Sequence, residues 1–71
     1  MEITYDKSAD AMYITFRTGK FGSNKIIDKQ TIIDLDKKGN LLGIELLSIS
    51  KRIPQASLSE ISVKNLIGVV S

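Results

Sequence analysis

The sequence predicts a β-dominated α+β domain: an antiparallel meander sheet of about five strands with a short C-terminal helix or edge segment. Three observations carry this expectation. Polar and apolar residues alternate at period two along most of the chain. Segments rich in Gly, Asn, Asp and Ser interrupt the alternation at short intervals. The length, 71 residues, suits a single domain over residues 1–71.

In chain order, Glu2 to Tyr5 alternates with Ile3 and Tyr5 on one face, and Ala11 to Arg17 sets Met12, Ile14 and Phe16 against Ala11, Tyr13, Thr15 and Arg17. The short polar run Asp6 to Asp10 joins these two strands as a hairpin. Thr18 to Asn24 reads as a loop with two glycines around Phe21. Lys25 to Ile27 and Thr31 to Leu35 are rich in β-branched residues and read as strands three and four, with Asp28-Lys29-Gln30 as a turn or a bulge. Asp36 to Asn40 is the clearest turn, because Asp36 can bond the following amides and Gly39 can take a left-handed angle. Leu41 to Ile49 is the fifth strand. Leu42, Ile44 and Leu46 fall on one face and Leu41, Gly43, Glu45, Leu47 and Ile49 on the other, so both faces want cover.

Beyond Pro54 two readings stand. Ser57 to Glu60 has the spacing of a helix capping box, with Gly68 placed as a C-cap. Ile61 to Lys64 instead alternates and is β-branched, which favours an edge strand.

Composition narrows the function. The chain is 42% apolar and 25% charged, as in an ordered soluble domain. It has no histidine and no cysteine, hence no imidazole base, thiolate nucleophile, disulfide or zinc site of the usual ligand types. A non-enzymatic protein without a cofactor is expected. A core below roughly 70–80 residues rarely supplies more than about 3–5 kcal/mol unaided, so self-association is the remaining staple. The net charge of +2 is too small and dispersed to mark a nucleic-acid footprint by itself. No apolar run approaches the roughly 18 residues that span a bilayer, so no membrane contact and a cytoplasmic location are expected.

Four constellations merit weighing. Counting Asp34 as position one places Asp36, Gly39 and Glu45 at positions of a calcium loop, but Lys37 and Lys38 set two ammonium groups where oxygen is required, and a hairpin turn accounts for the same residues. The pairs Asp6/Asp10 and Asp34/Asp36 resemble acid–base pairs, but so small a domain has little room for a cleft, and aspartate commonly serves turns. Gly19-Lys20-Phe21-Gly22 has the GxxG form that clamps nucleic-acid backbones, but that use needs a helix on each side where strands are read here, and a flexible hairpin loop with Phe21 folded back over apolar surface accounts for the same residues; Lys20, Phe21 and Lys25, with Lys51 and Arg52 of the basic segment after Ser50, are the candidate contacts of a weak nucleic-acid binder. Glu45 lies on an otherwise apolar face, where it either anchors a partner or second protomer or stays wet at the sheet edge; Arg17, Lys51, Arg52 and the Tyr13 hydroxyl are its candidate partners. The face built from Tyr13, Ile32, Leu41, Glu45, Leu47 and Ile49 is the candidate interface of a homo-oligomer.

Several of these blocks carry a family resemblance. Tyr5-Asp6 with Ala9-Asp10-Ala11-Met12-Tyr13-Ile14, then Ile33-Asp34-Leu35-Asp36-Lys37-Lys38-Gly39-Asn40, then Gly43-Ile44-Glu45-Leu46-Leu47 and Ser50-Lys51-Arg52, resemble the domain of unknown function 2283 family over residues 4 to 52. The resemblance implies a small bacterial or archaeal domain with no established activity. Some members resemble the small partners encoded beside toxin-like proteins, which implies an antitoxin-like role.

Overall fold

The computed structural model of the chain describes residues 1–62. Five strands, β1 (Glu2–Asp6), β2 (Ala11–Thr15), β3 (Phe21–Asp28), β4 (Thr31–Asp36) and β5 (Leu41–Leu47), form one antiparallel sheet, followed by two single-turn helices, α1 (Ile49–Arg52) and α2 (Gln55–Leu58). The β-dominated α+β class is therefore as the sequence predicts. The strand order is β1-β2-β5-β4-β3. β3, β4 and β5 form the meander, and β5 rather than β3 lies against β2. Patterning explains the order: β5 is apolar on both sides and takes the centre, while the polar first half of β3 goes to an edge, where all eight of its residues are exposed.

This order sends the β2–β3 connection across the ends of β5 and β4. Three strand spacings are about 14 Å, and the six Cα–Cα steps from Thr15 to Phe21 reach at most about 20–22 Å, so the connection can cross the sheet end with only a few ångströms to spare. It is pinned where the Phe16 and Arg17 amides both donate to the Leu42 carbonyl, at 2.8 and 3.4 Å. A Cβ at Gly19 would stand 2.9 Å from the Leu42 side chain.

Each hairpin turn begins with an aspartate that accepts from the amides ahead of it. Asp6 takes Ser8 and Ala9, Asp28 takes Gln30, and Asp36 takes Lys38 and Asn40. Gly39 supplies the left-handed angle expected of it, at φ 84°.

Three expectations about the strands are corrected. The glycine loop is shorter than Thr18–Asn24, because Phe21 to Asn24 pair with β4 as the start of β3. Leu41 leaves the face of Leu47: the register shifts between Asp34 and Leu35, setting Leu41 opposite Leu35 and breaking the alternation. Ile49 is not a strand residue. Ser48 takes a left-handed angle (φ 51°), the chain turns into α1, and Ile49 is 1% exposed in the core, where no partner can reach it.

The basic segment Ser50-Lys51-Arg52 thus forms most of a helical turn, and Asp10 holds it. Asp10 lends its carbonyl to the Ile49 amide at 3.0 Å and its carboxylate to the Ser50 amide and hydroxyl at 3.1 and 2.7 Å. Helix α2 starts directly after Pro54, and the Glu60 amide donates to the Ser57 carbonyl, so the Ser57–Glu60 pair closes this helix instead of opening one. Gly68 and the strand reading of residues 63 and 64 lie outside the described residues.

Candidate functional site

β-pairing assembles one face of the sheet in rows. Tyr13 pairs with Glu45, Glu45 with Ile32, and Ile32 with Ile26, a row that crosses β2, β5, β4 and β3. One step along the strands, Thr15, Gly43, Asp34 and Asn24 make the next row; on the other side Leu47 pairs with Ala11. Of the six predicted interface residues, Tyr13, Ile32, Glu45 and Leu47 are therefore brought onto one surface, all half-buried, while Leu41 and Ile49 are not.

The centre of this face is a polar lock. Tyr13 lies diagonally over Gly43, so close that a Cβ there would stand 2.7 Å from the phenolic oxygen and 2.6 Å from the Ile14 carbonyl oxygen. The hydroxyl thereby reaches Asp34 and donates to its Oδ2 at 2.7 Å. Asp34 is 8% exposed, the buried acid among the described residues. Its hydrogen bond, then burial, then the negative charges of Asp34 and Glu45 push the Tyr13 phenol up to about 12. Tyr13 is thus spent on Asp34 and not on Glu45. Arg17, the first of Glu45's candidate cations, pairs with Asp36 at 2.6 Å, and Arg52 donates to the Gln30 carbonyl at 2.8 Å. Among the described residues nothing bonds to the Glu45 carboxylate.

Two members of the face, Ile26 and Asp34, escaped sequence reasoning, and a third, Gly43, was placed on it without its role. Ile26, 68% exposed, belongs to it only once β3 is known to pair with β4 in this register. Asp34 looked like half of an acid pair with Asp36, whereas Asp36 turns the hairpin and Asp34 faces Tyr13. Gly43 carried a usable signal, since a glycine inside an apolar strand marks a close approach.

The candidate nucleic-acid contacts scatter. Lys20 and Phe21 lie at the end of the sheet that holds the β4–β5 turn, Lys25 lies midway along the edge strand, and Lys51 and Arg52 lie in α1 at the opposite end. Strands of six or seven residues separate the two ends by about 20 Å.

The family model described as "Protein of unknown function (DUF2283)" matches residues 2–50. No curated protein and no solved structure matches the chain.

Proposed function

This chain belongs to that family, and from that premise we propose that it is a non-enzymatic interaction module whose Tyr13 face docks a second copy of itself. The observation that carries the reading is the row Tyr13–Glu45–Ile32–Ile26: apolar and aromatic side chains left half-buried or exposed around a carboxylate that forms no ion pair among the described residues. A positive charge brought across an interface would satisfy that acid as docking covers the face. Size supports self-association. The molecule measures 32 × 32 × 18 Å, a single sheet with two short helical turns, and among the described residues the buried apolar side chains are Met12, Leu42 and Ile49. A face of those dimensions is large enough for the roughly 800 Å² per partner of a standard interface. The β3 edge is a weaker docking route, because β3 carries two register shifts and Lys25, features that discourage strand addition.

The non-enzymatic part of the reading rests on how the acids are employed: Asp6, Asp28 and Asp36 hold turns, Asp10 holds α1 and Asp34 holds Tyr13. An antitoxin-like role would use the same face, with a toxin-like partner displacing the second copy. Lysine substitutions test the assignment. Ile32→Lys and Leu47→Lys should convert the assembly to monomer in light scattering after gel filtration, whereas Ile61→Ser, at an exposed position off the sheet, should leave it intact. Equal behaviour of all three variants would remove the Tyr13 face as the interface.

A further inference from the structure

A different part of the molecule gathers positive charge. Where the β2–β3 connection passes the Asp36–Asn40 turn, the two enclose an open cleft of about 500 Å³ lined by Arg17, Lys20, Lys37 and Lys38 together with Asp36 and Asn40. Glycine makes the approach: a Cβ at Gly22 would stand 2.6 Å from the Asp36 carbonyl and from the Lys37 amide nitrogen, so a side chain there would push β3 off the turn. The GxxG pattern of residues 19 to 22 thus works as a packing device that brings Lys20 to the two turn lysines.

The one acid in the cleft is already occupied. Asp36 Oδ1 accepts from the Lys38 and Asn40 amides at 2.9 and 2.8 Å, and Oδ2 accepts from Arg17 Nη2 at 2.6 Å and Asn40 Nδ2 at 3.3 Å. Lys20, Lys37 and Lys38 are exposed and form no ion pair among the described residues. Three unopposed ammonium groups facing one cleft repel each other, and an anion relieves that repulsion. Phe21, 56% exposed, follows Lys20 directly and pairs with Asp36. We propose that this cleft binds phosphate groups of a single-stranded nucleic acid, with a base stacked on Phe21. Cations that track a backbone beside an exposed aromatic are the common form of such sites, and stacking is sequence-tolerant. Lys25, Lys51 and Arg52 take no part.

The test is fluorescence anisotropy of a labelled oligothymidine over a series of salt concentrations, with unlabelled duplex and inorganic triphosphate as competitors and circular dichroism to verify that each variant folds. Three phosphate contacts give a slope of log K against log salt of roughly −2. Lys20→Gln/Lys37→Gln/Lys38→Gln should abolish that slope, and Phe21→Ser should weaken binding by about tenfold at unchanged slope. Lys25→Gln and Lys51→Gln should bind as the unaltered protein does. Absence of salt-dependent binding overturns the proposal, as does equal loss in the Lys25 and Lys51 variants. Binding of triphosphate without the oligonucleotide, or equal affinity for duplex, overturns the single-strand assignment.

Discussion

Tyr13, Gly43 and Asp34 form a unit in which each residue is required by the other two. Asp34 is buried and needs a donor, Tyr13 supplies it, and only a glycine at 43 leaves room for the ring. Tyr13→Phe keeps the ring and strands the carboxylate, at a cost of about 1–3 kcal/mol visible in urea unfolding. The same variant identifies the titration. In absorbance the parent should show a phenol titrating near 12, and Tyr13→Phe should lack it. Since the folded value lies above the unfolded one of about 10, Tyr13 contributes its full stability below pH 10 and loses it as pH rises through about 12. Gly43→Ala forces a methyl against the Ile14 carbonyl and the phenol, and should cost about 1–3 kcal/mol, or roughly 4–8 °C in melting temperature for each kcal/mol. An unchanged melting temperature would mean that Tyr13 does not lie over residue 43.

At the level of elements, the turns and the strand ends depend on aspartates whose carboxyls are held below the usual range. The Ser8 hydroxyl lowers Asp6, the Ser50 hydroxyl lowers Asp10, and the Gln30 and Asn40 amides lower Asp28 and Asp36. Their folded values lie below the unfolded value of about 3.9, so their stabilisation is complete above that pH and is lost as pH falls through the folded values. The urea midpoint should therefore hold steady from pH 7 to about 5 and drop below about 4; a midpoint unchanged at pH 3 contradicts it. Asp10→Ala removes the carboxylate and keeps the carbonyl, so it should loosen the first turn of α1, seen as faster amide exchange at Ser50 with β4 and β5 unaffected. The turns were the most legible elements because their chemistry is local: Asp36 and Gly39 sit in five consecutive residues. Helix α1 was illegible because Asp10, forty residues away, satisfies its first amides, and because Ser48 takes a left-handed angle that nothing in its sequence neighbourhood demands. Leu41 was misplaced for a related reason, as alternation does not reveal a bulge.

At the scale of the whole molecule, β5 decides the architecture. A strand apolar on both sides can be read as central from sequence, and its central place explains why β2 and β4 flank it and why the polar half of β3 ends at an edge. Which residues share the surface follows only from the pairing: alternation grouped Tyr13, Glu45 and Leu47, but the register was needed to add Ile26 and Asp34. What results is a thin sheet with a largely apolar row on the Tyr13 side and a cationic cleft at one end, two surfaces that the account assigns to different partners. The self-association claim is tested most directly by sedimentation equilibrium of the unmodified chain across the micromolar range. The account predicts a mass of two 7.8 kDa chains, reverting to one when Ile32 is changed to Lys; a single 7.8 kDa species at every concentration would contradict it.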